Sequence, residues 1–298
     1  MKTKNTSKSL LFVGGDLRQI RAANRALECG NNVSVTGFSG DYKREFSEQI
    51  SYLESIEKIY KSFDAVILPL PYTIDGETVN MASENEKITV RDLFRSLPPK
   101  TVVLAGKCDN KIAKFADQNG LTLIDYFKRE DLQILNAIPT AEGAIQIAME
   151  EVKHTIHGSK CLVLGNGRIG KILSKMLVGL GADVTVAARK NSDRVQALAF
   201  GLKAISLSAL YEEIAQFDII FNTIPSLILD ADLLKKTSRD TLVIDLASKP
   251  GGVDFESARR IGTKVLWALS LPGKVAPYTA GDIIGKTILN ILDELEAN

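Results

Sequence analysis

The stretch from Lys160 to Gly181, KCLVLGNGRIGKILSKMLVGLG, most constrains what this chain can fold into. A short apolar run, Cys161–Leu164, leads into a Gly-x-Gly-x-x-Gly turn, after which apolar residues recur at helical spacing. Strand, glycine turn and helix in this order are typical of a dinucleotide-binding domain, in which N–H groups at the helix start face the pyrophosphate. The six turn residues are therefore expected to contact a cofactor: Gly165, Asn166, Gly167, Arg168, Ile169 and Gly170. The alternative is a structural turn that binds nothing.

The three glycines of this turn have separate expected roles. Gly165 permits the tight turn, Gly167 leaves room for the pyrophosphate to approach bare backbone, and Gly170 lets the helix pack closely on the strand.

The next predicted strand, over residues 183–188, ends in cations rather than in an acid. An NAD-type site needs an acid there for the ribose 2′-hydroxyl, whereas a guanidinium suits the 2′-phosphate of NADP. The sequence therefore favours NADP(H), with NAD(H) as the alternative, and predicts cofactor contacts from Arg189, Lys190 and Arg194. The competing interpretation is a solvated basic turn.

Bulk composition excludes several classes of protein. A length of 298 residues suggests two domains, and 37 basic against 36 acidic residues give no electrostatic reason to expect nucleic acid or an anionic membrane as partner. No apolar run approaches the ~20 residues of a membrane span, and the N-terminus lacks a signal core. Three scattered cysteines without a CxxC motif suggest reduced thiols in the cytoplasm. Two histidines without further ligands predict no metal site.

Strands alternating with helices predict an α/β fold of two Rossmann-like domains with mostly parallel sheets. Residues 1–139 are expected to form the N-terminal substrate domain and residues 140–278 the NADP-binding domain. A connector helix over 140–156, capped by Thr140, would enter the second domain. The C-terminal helix, 279–298, is expected to pack back on the first domain.

Two further elements are expected in the first domain. Helical spacing of apolar residues predicts a helix over residues 52–62. The polar stretch over 73–89 predicts a long loop over a cleft.

The first predicted strand is followed by Gly14-Gly15-Asp16-Leu17-Arg18-Gln19. Ligands bind at the carboxyl edges of parallel sheets, so substrate contacts are predicted from Gly15, Asp16, Arg18 and Gln19. Arg18 could bind a carboxylate with two hydrogen bonds. Alternatively, Asp16 is only a helix cap and Arg18 a surface charge.

In the second domain, Asn222-Thr223-Ile224-Pro225 ends a buried strand. Such an end lies beside the nicotinamide in a Rossmann domain, which predicts cofactor contacts from Asn222, Thr223 and Pro225. An ordinary strand-to-helix turn would fit equally well.

Two more loops carry candidate residues. Lys249 follows the next strand and suits a ligand-touching loop. Residues 271–281 are interpreted as a stiff loop that presents Lys274 and Tyr278 to the substrate and Pro272 to the cofactor. The loop would lead into a helix capped by Thr279.

The start of the connector is expected to lie across the same cleft. Thr140 and Glu142 would contact substrate there, and Glu142 could serve as a general base. A helix-dipole partner is the alternative role for Glu142. The predicted catalytic residues are therefore Glu142, Lys274 and Arg18.

Six segments taken together resemble a known family. GGDLRQ, IPTAEGAI, LGNGRIG, NTIP, IDLASKPGGVDF and LPGKVAPYTAG occur in this order along almost the whole chain. This combination resembles the A-subunit of bacterial dipicolinate synthases. The PGKVAP segment is more loosely similar to the PGGVGP loop of methylenetetrahydrofolate dehydrogenases.

The resemblance implies two domains arranged as in 2-hydroxyacid and alanine dehydrogenases. It implies a dehydrogenase-like protein that acts with a second, flavoprotein-like partner, the B-subunit of dipicolinate synthase. Such an enzyme would make dipicolinate in the mother-cell cytoplasm during sporulation, from a dihydro- or hydroxytetrahydro-dipicolinate precursor of the lysine pathway, with NADP as the usual cofactor. The substrate is a small dicarboxylate heterocycle, which calls for cations, and Arg18, Lys249 and Lys274 are available. A homo-oligomer is left open.

Two alternatives remain. One is a shikimate-type NADP dehydrogenase. Such enzymes use a lysine–aspartate pair, to which Lys107 and Asp109 are only weakly similar. The other is a non-catalytic protein that binds nucleotide or substrate for a partner, since no histidine or tyrosine–lysine pair stands out.

Overall fold

The structure is a computed structural model that describes residues 7–56, 63–82 and 87–297. The chain divides into two compact units. Unit 1 comprises Met1–Gln133 and Pro277–Asn298, and unit 2 comprises Ile134–Ala276. Each unit contains one six-stranded sheet whose paired strands are all parallel, so the predicted α/β class is confirmed.

The sheet of unit 1 has the strand order β3-β2-β1-β4-β5-β6. Its strands are β1 (Ser9–Val13), β2 (Asn32–Thr36), β3 (Ser51–Tyr52), β4 (Ala65–Ile67), β5 (Val102–Ala105) and β6 (Thr122–Asp125). The order changes direction between β1 and β4, and ligands of such sheets bind at the carboxyl ends of the strands at this switch point.

The sheet of unit 2 has the equivalent order, β12-β11-β10-β7-β8-β9. Its strands are β7 (Lys160–Leu164), β8 (Asp183–Ala188), β9 (Lys203–Ser206), β10 (Ile219–Asn222), β11 (Leu242–Asp245) and β12 (Lys264–Trp267). Apolar clusters pack on both faces, which is why the central strands are nearly continuous hydrophobic runs. The switch point lies between β7 and β10, where the glycine turn and Asn222 end their strands.

Eleven α-helices are found within the described residues. They are α1 (Leu17–Glu28), α2 (Val90–Ser96), α3 (Asn110–Gln118), α4 (Glu130–Glu151), α5 (Arg168–Gly179), α6 (Asn191–Ala199), α7 (Leu210–Glu213), α8 (Ala231–Lys236), α9 (Phe255–Ile261), α10 (Leu271–Val275) and α11 (Pro277–Ala297). The C-terminal helix α11 lies along α1, so closely that a Cβ at Gly281 would stand 2.6 Å from the Arg18 carbonyl oxygen. None of the helices in the part of the chain described here is long and apolar enough to cross a membrane.

Several predicted boundaries were wrong. Helix α4 already begins at Glu130 and contains Pro139, so no helix starts at Thr140. The segment interpreted as a stiff loop holds α10 and the start of α11, so Thr279 is no cap. Proline suits the first turn of a helix, because the backbone N–H that it lacks would find no partner within the helix at that position.

The two expectations for the first domain fall partly on residues that are not described. Of the helix expected over 52–62, residues 57–62 lie outside the described ranges, and Tyr52 belongs to β3. Residues 83–86 of the predicted loop also lie outside. The rest of that loop is held by a bridge between Thr78 and Thr89 and one between Gly15 and Met81.

Candidate functional site

The glycine turn of unit 2 has a closed inner side and an open outer side. Gly165 has a φ of +97°, and a Cβ there would stand 2.6 Å from the Thr223 hydroxyl oxygen. A Cβ at Gly170 would stand 2.1 Å from the Gly165 carbonyl oxygen. Gly167 caps α5 with no side-chain hydrogen bond, and a Cβ there would meet nothing within 4 Å. The open backbone at Gly167 therefore fits a pyrophosphate.

The glycine turn of unit 1 is closed by its own chain. The Gly15 N–H donates to the Asn80 carbonyl at 2.8 Å, and the Ala82 N–H donates to the Gly15 carbonyl at 3.1 Å. A Cβ at Gly14 would stand 2.7 Å from Met81 Cγ. Because this segment covers the turn, the backbone at Gly14 and Gly15 is less open than the backbone at Gly167.

The basic end of β8 contains cations in two different situations. Arg194 Nη1 donates to the carbonyls of Ala188 and Arg189, both at 3.0 Å, and Nη2 donates to Asn191 Oδ1 at 3.0 Å. The Arg194 guanidinium therefore shapes the turn. Arg189 and Lys190 are exposed and form no ion pair with any described residue. Their charge is available to an anionic group of a ligand.

Several predicted cofactor contacts are engaged by the protein itself. The Asn166 amide donates to the Asp193 carbonyl at 2.8 Å, which ties the glycine turn to α6. The Thr223 hydroxyl donates to the Leu164 carbonyl at 2.7 Å. These side chains hold the turn in place and leave its backbone as the exposed element.

The other predicted contacts of this turn differ in exposure. Arg168 is exposed and Ile169 half-buried at the start of α5, and Pro225 is exposed beyond β10. Pro272 is buried in the first turn of α10. The predicted cofactor contact of Pro272 stays a prediction for a residue that is buried in unit 2.

A buried carboxylate organises the loop after β11. Asp245 is fully buried and accepts hydrogen bonds from Asn222 Nδ2 at 2.8 Å, Ala247 N at 3.0 Å and Gly252 N at 2.9 Å. Asn222 is also fully buried and bonded to Asp245, and its predicted cofactor contact stays a prediction. Asp245 is not among the residues predicted from the sequence. Its one signal is an acid that ends an otherwise apolar strand just before Gly251-Gly252.

The candidate lysines of unit 2 are accessible. Lys249 and Lys274 are exposed and form no ion pair with residues in the described ranges. Lys274 lies on α10, which packs on α4 at Gly143, where a Cβ would stand 3.1 Å from Leu271 Cβ. Glu142, the neighbouring residue on α4, is exposed. This packing places Glu142 and Lys274 on adjacent elements.

The expected roles of Thr140 and Glu142 change because α4 begins at Glu130 rather than at residue 140. Thr140 lies inside α4 and its hydroxyl donates to the Asn136 carbonyl at 2.8 Å, so it is neither a cap nor a free ligand group. Glu142 lies near the middle of α4, so it is no partner for the helix N-terminus.

The candidate residues of unit 1 are partly committed to the fold. Asp16 caps α1 and pairs with Arg18, whose Nη2 lies 2.8 Å from Asp16 Oδ2. The same Nη2 donates to the Leu70 carbonyl at 2.6 Å. Gln19 is 2% exposed and donates to the Ile67 carbonyl at 3.0 Å. The Gln19 amide therefore holds α1 against β4, and its predicted substrate contact stays a prediction.

Tyr278 lies in the first turn of α11, within unit 1. Its hydroxyl donates to Glu45 Oε2 at 2.7 Å, and this hydrogen bond raises the pKa of Tyr278. The phenol is therefore a partner of Glu45 rather than a free acid.

Thiol and metal chemistry find little support. Burial, and next the nearby Asp125, raises the pKa of Cys108 to about 12, and burial likewise raises the pKa of Cys161 to about 12. Both thiols are therefore protonated at neutral pH. In the ranges that the structure describes, no cluster of three or more His, Cys, Asp or Glu residues could hold a metal ion.

Comparison with known families matches each unit separately. Residues 9–127 match the family described as the N-terminal domain of the dipicolinate synthase A-subunit. Residues 146–262 match the family described as shikimate / quinate 5-dehydrogenase.

Individual relatives match the whole chain. The dipicolinate synthase A-subunit of Bacillus subtilis (strain 168) is 34% identical over 294 residues, which is 98% of each chain. The crystal structure of the dipicolinate synthase A-subunit from Bacillus halodurans is 33% identical, covers 96% of this chain and 98% of its own, and has a TM-score of 0.88. An L-alanine dehydrogenase structure is only 15% identical, but covers 97% of this chain and 90% of its own with a TM-score of 0.69, so it shares the fold.

Proposed function

The chain belongs to the family of dipicolinate synthase A-subunits, and we propose that it oxidises a dihydro- or hydroxytetrahydro-dipicolinate precursor to dipicolinate with a nicotinamide dinucleotide. The proposal includes the flavoprotein-like B-subunit as partner and the mother-cell cytoplasm of a sporulating bacterium as the place of action. Both are proposed on the resemblance to the family. The observation that carries the redox part is the open backbone at Gly167 between the tightly packed Gly165 and Gly170.

NADP is the proposed cofactor. The N–H groups at the start of α5 would hold the pyrophosphate. Arg189 and Lys190 would pair with the 2′-phosphate, with Arg194 fixing the backbone that carries them. Uncompensated cations at this point support NADP over NAD, because an NAD site would offer an acid to the ribose.

The proposed chemistry gives each predicted catalytic residue a role. When bound, the nicotinamide would accept a hydride from the dihydropyridine ring. Arg18, Lys249 and Lys274 would pair with the substrate carboxylates, and Glu142 would take the proton that leaves as the ring becomes aromatic. The contribution of the protein is orientation, charge pairing and exclusion of water.

A shikimate-type activity finds less support. The shikimate / quinate dehydrogenase match, residues 146–262, lies wholly within unit 2, which carries the dinucleotide turn. That likeness therefore concerns the cofactor rather than the substrate. The match of residues 9–127, in unit 1, points to dipicolinate.

The test is an assay of the purified chain, alone and with its flavoprotein-like partner. Dihydrodipicolinate is offered with NADP or NAD, and both reduced nucleotide and dipicolinate are measured. Formation of both in equal amounts supports the proposal. Tight NADPH binding without turnover under either condition would favour a non-catalytic binding protein instead. Shikimate serves as the control substrate and should not be oxidised.

A further inference from the structure

Lys107 follows β5 with a φ of +65°, in the left-handed region that residues with a Cβ seldom adopt. Its N–H donates to Asp125 Oδ1 at 3.0 Å, and the Cys108 N–H donates to Asp125 Oδ2 at 3.0 Å. Both carboxylate oxygens of Asp125, at the end of β6, therefore hold this turn in a strained conformation. Strain of this kind concentrates at functional sites, because the surrounding structure must maintain it. The Lys107 side chain is exposed beyond the carboxyl end of β5.

The ammonium of Lys107 is unpaired within the described part of the chain. It forms no ion pair with any residue of the described ranges, although two carboxylates lie close along its own turn. Asp125 accepts from backbone N–H groups with both of its oxygens. Asp109 caps α3 with Oδ1 and accepts the Tyr72 hydroxyl at 2.9 Å with Oδ2. Burial, and then the bond to Asp109, raises the pKa of Tyr72, so the phenol stays a donor at neutral pH.

The turn of Lys107 is joined to the segment that anchors Arg18. The Gly106 N–H donates to the Pro69 carbonyl at 3.2 Å, and the Tyr72 N–H donates to the Gly106 carbonyl at 2.9 Å. Arg18 donates to the Leu70 carbonyl within the same segment. Neighbouring strands lie about 4.8 Å apart, so the ends of β1 and β5, which flank β4, are roughly 10 Å apart. Two long side chains can span that distance to one small ligand.

The charges of the two residues differ in a way that bears on substrate choice. Arg18 pairs with Asp16 at 2.8 Å, whereas Lys107 forms no ion pair with a described residue. A ring with two carboxylates needs more positive charge than one balanced arginine supplies. A ring with one carboxylate does not.

We propose that Lys107 binds one carboxylate of the dicarboxylate substrate and determines the preference for rings with two carboxylates over rings with one. This inference rests on the proposed function and deepens it. Lys107 acts as a specificity-determining residue, and Arg18 remains the partner for the other carboxylate.

The test compares pyridine-2,6-dicarboxylate with pyridine-2-carboxylate by titration calorimetry, on the full chain with NADPH and the flavoprotein-like partner present. Lys107→Met should weaken binding of the dicarboxylate about 10- to 100-fold and that of the monocarboxylate little, because one charged hydrogen bond is lost. Lys107→Arg should keep most of the preference. Lys100→Met is the matched control, since Lys100 is an exposed lysine with a φ of +69° just before β5, at the opposite edge of the sheet.

The outcomes separate this inference from the proposed function. Wild-type preference for the dicarboxylate that persists in Lys107→Met overturns the inference and leaves the proposed function standing. A wild-type chain that binds neither ligand overturns both. If Lys107→Met does not fold, Lys107→Gly replaces it, because glycine accepts the left-handed backbone without strain, and it should show the same loss of preference.

Discussion

The carbonyl oxygen of Gly165 lies 2.1 Å from the point where a Cβ would stand on Gly170. This approach is possible only for glycine. It brings the start of α5 directly against the end of β7, where the first N–H groups of the helix have no partner within the helix. The close contact between the Gly165 and Gly170 backbones thus defines the proposed pyrophosphate site.

Gly170→Ala should destabilise unit 2, because the atom opposite the new methyl group is backbone and cannot rotate away. Overpacking of this kind costs about 1–3 kcal/mol, and dinucleotide binding should weaken with it. Thermal unfolding measures the loss. Gly179→Ala is the control, since a Cβ at Gly179 meets nothing within 4 Å. Equal melting temperatures for the two variants would contradict the packing argument.

Gly167→Val should have the opposite profile. A Cβ at Gly167 meets no protein atom within 4 Å and its φ is ordinary, so the fold should keep its stability. The side chain would fill the space proposed for the pyrophosphate and weaken NADPH binding about 10- to 100-fold. Fluorescence titration with NADPH tests this against Gly179→Val. Unimpaired binding in Gly167→Val would place the cofactor elsewhere.

Asp245→Asn should cost stability although it barely changes shape. The carboxylate accepts three hydrogen bonds while fully buried, and an amide would turn one oxygen into a donor that faces another donor. An unsatisfied buried donor costs about 1–3 kcal/mol, which urea unfolding can resolve. The exposed Asp240→Asn is the control and should unfold as the wild type does. A neutral Asp245→Asn would mean that the loop tolerates a free donor.

Much of the fold could be predicted from local patterns. Helix α1 (Leu17–Glu28) is one example, because an apolar stripe and the Asp16 cap are both readable in sequence. Prolines were the main source of error. Pro139 lies inside α4, and Pro277 opens α11 rather than ending a loop. Local sequence alone does not distinguish a proline that breaks a helix from one in its first turn.

The candidate site could be predicted only where the backbone, rather than side chains, would contact the ligand. The glycines act through the space they leave, which follows from their residue type and spacing. The polar side chains Gln19 and Asn222 act through partners on other strands, Ile67 and Asp245. Those partners are distant in sequence, so a buried structural amide and a ligand-binding amide look alike before folding. Asp245 escaped prediction for the same reason. Lys107 was considered only for the shikimate-type alternative, because its left-handed backbone is not visible in the sequence.

Arg129→Met should make stability less sensitive to acid. Arg129 donates to both oxygens of Glu294, at 2.6 and 2.8 Å, and to Asp131 at 3.2 Å. These hydrogen bonds lower the pKa of Asp131 and Glu294 in the folded state. The stabilisation is therefore complete above the unfolded values of about 4 and is lost as the pH falls through the lowered ones.

The variant should therefore melt below the wild type at pH 7, and the gap should narrow below about pH 4. Differential scanning calorimetry over that range provides the measurement. The exposed Arg95→Met is the control, with a gap near zero at every pH. A gap for Arg129→Met that stays constant into acid would show that Arg129 contributes by packing rather than by charge.

Arg189→Asp should separate the two nicotinamide cofactors. Arg194 is committed to the Ala188 and Arg189 carbonyls, so Arg189 and Lys190 supply the charge at the end of β8. Replacing a guanidinium by a carboxylate removes a phosphate partner and adds repulsion, so NADPH affinity should fall about 10- to 100-fold. NADH affinity should change less than about threefold, because NADH carries no 2′-phosphate. The exposed Arg239→Asp makes the same change of charge elsewhere in unit 2 and should leave both affinities unchanged. Equal losses for NADPH and NADH in Arg189→Asp would remove the basis for proposing NADP.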